Sequence, residues 1–214
     1  MNPKIALRIH VSSQSGARLL PPLLERLAQY QANATFLLSL GPDDAPFFSR
    51  LLVSGEVGKK AEAALRAIED QGFEAGLSAW DAAGWKKRAA RADSADNPWI
   101  AADLDKGMAA FLRLFNHPPQ IFGAPDWQAH RHELRLLQRF GFQAASDCRG
   151  SHPFVPIWQG EPLPCPQLPT TLPTFSELRQ KGESGEMVVE SLLTQTQTPL
   201  VVWHVFSFAA EEAG

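Results

Sequence analysis

Lys4-Ile-Ala-Leu-Arg-Ile-His-Val11 decides how the rest of the chain is read. Ile5, Leu7, Ile9 and Val11 alternate on one face, the period of a strand, so His10 and then Ser12 arrive at its C-terminal end. Ser13 to Gly16 turn the chain. Leu20, Leu23, Leu24 and Leu27 then repeat at helical spacing between Leu19 and Tyr30, with Pro21 and Pro22 confined to the first turn, where a missing N–H breaks no bond. Ala34 to Leu40 is a second apolar run, closed by Gly41-Pro42-Asp43-Asp44. Strand, helix and strand in this order predict a parallel βαβ unit with a right-handed crossover.

The unit recurs. Val57 to Gln71 carries Ala61, Ala64, Leu65 and Ile68 on one stripe and stops at Gly72, in front of a strand over Phe73 to Ala79. Helices over Trp99 to Phe115 and Trp127 to Phe140 each precede a short strand's worth of apolar residues, Pro119 to Gly123 and Phe142 to Ser146. From Ser151 to Pro173 the periodicity lapses into a proline-rich loop of the kind that is functional or mobile. Helices near Phe175 to Gln180 and Glu186 to Leu193 follow, and a last strand over Pro199 to His204. Such alternation indicates an α/β barrel or open sheet with its site at the strands' C-terminal ends.

At 214 residues, 44% hydrophobic and 20% charged, the chain has the composition of an ordinary globular protein, and one domain over 1–214 is the default. A net charge of −3 and no basic block beyond Lys86-Lys87-Arg88 leave no nucleic-acid footprint; that run reads as a solvated helix face. No leader and no membrane-length apolar run is visible, so the expected location is cytoplasmic. Cys148 and Cys165 form no metal-spacing motif and are expected as free thiols.

The loop after the third strand, Ser78-Ala79-Trp80-Asp81-Ala82-Ala83-Gly84-Trp85, gathers two indoles and a carboxylate. Two readings stand. Either these groups form a ligand site, or both indoles cap the core and Asp81 caps the following helix. His130 and His132, two apart on a predicted helix, face different sides, and His117 and His152 are expected at the surface. Ser12, Ser13 and Ser15 lack a nucleophile elbow, and no glycine-rich phosphate loop is present.

Several strings resemble one family. Leu7-Arg8-Ile9 with Gly16 and Arg18, Ser39-Leu40-Gly41-Pro42-Asp43, Glu74-Ala75-Gly76-Leu77 with Ala79-Trp80-Asp81 and Trp85, Ser146-Asp147-Cys148-Arg149-Gly150 with Pro153-Phe154, Thr171-Leu172-Pro173-Thr174, and His204 are similar to the polysaccharide deacetylase (NodB-like) superfamily. The branch they resemble removes a formyl group from undecaprenyl-phosphate-linked 4-deoxy-4-formamidoarabinose in lipid A modification. The resemblance implies an incomplete, distorted (β/α)7-type barrel, its last unit short or missing, and hydrolysis of a carbon–nitrogen, non-peptide bond on an amino sugar. It further implies a lipid-linked or small sugar ligand met at the inner face of the membrane. An open barrel seam could be covered by a second copy, making a homodimer.

Departures accompany the matches. Where the family carries Asp-Val-Asp after the first strand this chain has His10-Val11-Ser12, and where it carries His-Ala-Trp-Asp-His this chain has Ser78-Ala79-Trp80-Asp81-Ala82. The family's divalent metal would therefore face Ser12, Ser78 and Ala82, two poor ligands and a methyl group, and no metal is expected. By the same carry-over His204 would protonate the leaving amine, His10 would stand in as a base and Asp81 would orient it. Trp80, Trp85, Asp126, Trp127, Asp147 and Arg149 would bind the sugar. The alternatives are a hydrolase, a metal-free acid and base pair of His10 and His204, and a catalytically silent relative that binds a sugar-phosphate.

Overall fold

The computed structural model describes residues 4–44, 55–89, 91, 98–182, 184–197 and 203–213. β1 (Lys4–Val11) leads through α1 (Gln14–Arg18) and α2 (Leu20–Gln29) to β2 (Ala34–Leu38). After α3 (Val57–Lys60) and α4 (Glu62–Asp70) come β3 (Glu74–Leu77), α5 (Ala82–Ala89), α6 (Pro98–Phe115) and β4 (Ile121–Phe122). A 3₁₀ turn at Pro125–Trp127, α7 (Glu133–Phe140) and β5 (Ala144–Ala145) follow. Next are a hairpin of β6 (Ile157–Trp158) and β7 (Glu161–Pro162), then α8 (Phe175–Gln180), α9 (Gly185–Thr196) and β8 (Trp203–Ala209).

Six of these strands form one parallel sheet in the order β5-β4-β3-β2-β1-β8, so the expected βαβ start is present and the last strand returns to the edge of the first. Alternation explains the layering. Ile9 and Val11 of β1, Phe36 and Leu38 of β2 and Leu77 of β3 are buried and pack with Leu20, Leu24, Leu65, Ile68, Leu104 and Phe111 of the helices in one core. Each such side chain contributes about 1.5–3 kcal/mol through removal from water.

The sheet does not close through strands alone. Between β5 and β8 runs a strap whose backbone pairs with both. Leu168 N donates to Ala145 O (2.7 Å) and Ala145 N to Pro166 O (2.9 Å), while Thr171 N and Leu172 N reach Val205 O (3.2 and 3.1 Å). The proline-rich stretch read as an irregular loop thus sutures the barrel's gap.

Three expected boundaries are corrected. The helix over 57–71 is broken at Ala61, whose φ of −115° is not helical. The helix expected from Trp127 begins only at Glu133, because Asp126 and Trp127 both adopt left-handed backbone (φ 50° and 54°). The last strand, expected at 199–204, is Trp203–Ala209, and residues 199–202 lie outside the described residues. Gly72 and Gly141 do stop their helices with φ of 83° and 84°, conformations a β-carbon disfavours. Cys148 and Cys165 are free thiols.

Candidate functional site

Because side chains two apart on a strand share a face, Arg8 and His10 of β1 point together into the space above the sheet's C-terminal ends. Arg8 is buried and held in place through both terminal nitrogens, its Nε having no hydrogen-bond partner: Nη1 donates to Ser207 Oγ (3.0 Å), Nη2 to Ser146 O (2.9 Å) and Ala124 O (3.2 Å). Burial pushes the guanidinium down to about 10, with Asp147, then Asp126 and Cys148, opposing. His10 is held well below its ordinary value by burial, then by the positive charges of Arg8 and Lys86, so its imidazole is neutral.

The left-handed pair that follows β4 aims a second wall of the site. Two consecutive non-glycine residues in this region cost on the order of 1–3 kcal/mol each, and the surroundings hold them there. The Trp127 ring lies 5.3 Å from the Arg8 guanidinium carbon and 4.9 Å from that of Arg149, and its Nε1 donates to Thr170 Oγ1 (2.9 Å). Arg149 is itself fixed, Nη1 donating to Glu177 Oε1 (2.7 Å) and Nη2 to Leu172 O (3.1 Å). Glu177 closes the chain of contacts by accepting from Thr174 N (2.8 Å) in the capping box of α8. Arg8, His10, Asp126, Trp127, Glu177 and Ala209 line the resulting cavity of about 220 Å³.

Behind this cavity sits a buried carboxyl pair. Asp147 accepts from Ala124 N (2.8 Å) and Gln167 Nε2 (2.9 Å), and Glu133 accepts from His130 N (2.7 Å) through Oε2. Desolvation, then the Asp147 charge, pushes the Glu133 carboxyl well above its ordinary range. Burial likewise pushes the Asp147 carboxyl up to about 6, against its bonds from Gln167 and Ala124 N, the Arg8 charge and Glu133, so a proton on this pair belongs first to Glu133, whose Oε1 has no hydrogen-bond partner of its own.

The structure thus brings His10, Asp126 and Trp127 to one cavity, with Arg149 stacked on Trp127 and Asp147 held behind. Other expected site residues stand elsewhere. His204 is at the start of β8, paired in register with Ile5, five residues from the end that pairs with His10. At roughly 3.3 Å per residue it is about 16 Å away along the strand, so His10 and His204 cannot act on one bond. The β8 residue opposite His10 is Ala209.

Trp85 is a core residue, fully buried, edge-on to Trp99 at 5.2 Å and 5.8 Å from Phe122, with Nε1 donating to Gln128 O (3.0 Å). Asp81 accepts from Gly84 N (2.9 Å) at the start of α5, the helix-cap alternative. Trp80 and Asp81 line a separate cleft of about 280 Å³ with Trp99, Arg88 and Asp103. The Asp103 carboxylate accepts from Trp80 N (2.6 Å) and Asp81 N (3.2 Å). Its carboxyl is pushed up to about 6 by burial, against those two bonds and Arg88. His130 and His132 precede α7 and stack with ring centroids 5.4 Å apart, instead of facing different sides.

The three positions facing the family's metal are Ser12, half-buried, Ser78, buried and donating through Oγ to Gly123 O (2.8 Å), and Ala82, buried at the head of α5. Among the described residues no three His, Cys, Asp or Glu side chains cluster as metal ligands do. Sequence reasoning missed Lys86. Its Nζ donates to Asp44 Oδ2 (2.8 Å) and lies 3.6 Å from Asp126 Oδ2, so it belongs to the site and not to a solvated face. The available signal was its position one helical turn after Ala82.

No family model matches the chain. It is 30% identical to a protein from Shewanella sediminis named a probable 4-deoxy-4-formamido-L-arabinose-phosphoundecaprenol deformylase, over 82% of this chain and 65% of that protein. A relative of the same name from Wigglesworthia glossinidia brevipalpis is 28% identical over 74% of this chain and 64% of its own length. The chain therefore spans just under two thirds of these relatives. Among solved structures, a Mycobacterium smegmatis protein assigned as a polysaccharide deacetylase superposes with a TM-score of 0.67 at 15% identity, covering 99% of this chain and 78% of its own. A CE4 family pseudoenzyme from Bacillus anthracis gives 0.60 at 15%, covering 98% and 56%. These structures share the distorted, incomplete (β/α) barrel that the six strands trace here. By sequence the chain is similar to the formamidoarabinose deformylases, and its fold is that of the polysaccharide deacetylases.

Proposed function

We propose that this protein is a non-hydrolytic relative of the amino-sugar deformylases that binds a sugar-phosphate or lipid-linked sugar in the cavity between β1, β8 and Trp127. The observation that carries this reading is the pairing of His10 with Ala209, a methyl group where a late-strand acid would have to stand. A lone neutral imidazole can accept a proton, while the carboxylates lining the same cavity are engaged as acceptors, Glu177 from Arg149 and Thr174 N and Glu212 from Ala209 N (2.8 Å), with Asp126 beside Lys86, and so are not arranged to return one to a leaving amine. The separation of His10 from His204 argues against a metal-free acid and base pair.

The donor set also fits a divalent metal poorly. Ser78 spends its hydroxyl hydrogen on a backbone carbonyl, Ala82 offers no lone pair, and a serine such as Ser12 alone does not hold zinc. What the cavity does offer is recognition. Trp127, braced by two guanidinium groups, presents a rigid aromatic face, and Asp126, with its side chain 66% exposed, stands at the rim as a hydrogen-bond acceptor for sugar hydroxyls. At about 220 Å³ the space suits a single sugar ring. The sugar-phosphate ligand and a place at the inner face of the membrane are carried over from the deformylases the chain resembles. Among the described residues no helix is long and apolar enough to cross a membrane.

The test is a paired measurement on the purified protein. Titration with an amino-sugar phosphate should quench tryptophan fluorescence saturably in the wild type and not in Trp127→Ala, while formate release from a formamido-sugar substrate stays at the uncatalysed rate. Formate release at an enzymatic rate would overturn the proposal.

A further inference from the structure

Lys86 stands one turn along α5 from Ala82, and side chains on a helix lean toward its N-terminus, so the ammonium is carried back over the Ala82 position. Its partners mark the same spot from the other two sides. Asp44, 2.8 Å from Nζ, is tied to the end of β1 by its own N–H, which donates to Ser12 O (3.0 Å). Asp126, 3.6 Å from Nζ, lies three residues after Gly123, whose carbonyl receives the Ser78 hydroxyl. The three positions expected to face a metal therefore converge on a place bounded by one cation and two carboxylates. Burial works against the Lys86 charge, but the Asp44 hydrogen bond and the Asp126 and Asp44 charges outweigh it and raise its value, keeping it protonated.

We propose that the Lys86 ammonium is the site's resident cation, standing in the electrostatic place of a divalent metal and excluding one. Two serines and a methyl group supply no ligand cluster for an ion, and the Lys86 charge answers the two carboxylates there without coordination chemistry. The inference stands whether or not the cavity takes a sugar, because it concerns which cation the site accepts.

Reverting the three positions tests it. The variant S12D/S78H/A82H should bind zinc weakly by isothermal titration calorimetry, and adding K86Q should tighten zinc binding at least 100-fold. Affinities within threefold of each other, including no binding by either variant, would overturn the proposal. A second measurement uses the otherwise unaltered chain. Under limiting acetic anhydride, Lys86 should be acetylated at least fivefold more slowly than Lys59, and Asp44→Asn should abolish most of that protection. Equal labelling of the two lysines, or protection unchanged by Asp44→Asn, would likewise overturn it.

Discussion

His10 and Ala209 are register partners on adjacent parallel strands, while His204 of the same strand is opposite Ile5. His204→Gln is accordingly expected to leave the affinity of the cavity for an amino-sugar phosphate within twofold of wild type, and its effect to appear as lost stability. His10→Ala should weaken binding severalfold with little change in thermal midpoint. Fluorescence titration beside a thermal melt reads both. Loss of affinity in His204→Gln would mean that the β8 register is wrong.

The guanidinium carbons of Arg8 and Arg149 lie 5.3 and 4.9 Å from the centre of the Trp127 ring, and contact of this kind draws on planarity as well as charge. Arg149→Lys keeps the charge but loses both the stack and the fork that reaches Glu177 and Leu172 O. A destabilisation of about 1–2 kcal/mol in urea unfolding is expected, from a cation–π contribution of about 0.5–1 and a solvent-screened ion pair to Glu177 of similar size. An Arg149→Lys midpoint equal to wild type would show the stack to be ornamental.

The Glu133 carboxyl titrates higher in the folded chain than in the unfolded one, because burial and the neighbouring Asp147 penalise its charge. The folded state then binds this proton more tightly, so the associated stability is full at low pH and is lost as pH rises through the folded value. Glu133→Gln, which cannot ionise, should flatten the decline of stability as pH rises above the ordinary carboxyl value of 4.5. The two proteins should differ in slope by up to about 1.4 kcal/mol per pH unit, one proton's worth. Parallel pH profiles in thermal melts would remove the Glu133 proton from the account.

Trp85 serves the core. Trp85→Ala should cost about 3–5 kcal/mol, as for other buried aromatics, and Asp81→Ala about 1 kcal/mol through its lost helix cap. Neither should alter saturable quenching of Trp127 in the fraction that remains folded. A marked change in ligand affinity with unchanged stability, in either variant, would return the loop to the binding site.

Where local pattern decides structure, the sequence was legible. β1 has the bounds its alternation predicts, α2 follows its leucine stripe, and Gly72 and Gly141 stop their helices. The choice left open at Trp85 and Asp81 resolves toward the core and the cap. Tertiary effects were not legible. Nothing in Ala124-Pro125-Asp126-Trp127 signals two left-handed residues, since the groups that hold them, Arg8, Arg149 and Thr170, lie far away in the chain. The apolar run before His204 suggested a strand ending there, yet the pairing continues to Ala209. Lys86 was hidden because Asp44 and Asp126 are 42 and 40 positions from it, beyond any helical period.

The β1 and β8 partnership joins Lys4 to Trp203 across 199 positions, and this separation has a consequence in time. A ribosome adding about 5–20 residues per second releases the first strand roughly 10–40 s before the last. For that interval one side of β1 is an unsatisfied row of amides and carbonyls, open to pairing with any nascent neighbour. Synthesis in the cell should therefore depend on chaperones more than the stability of the finished molecule suggests, and chains stalled before Trp203 should accumulate as aggregates.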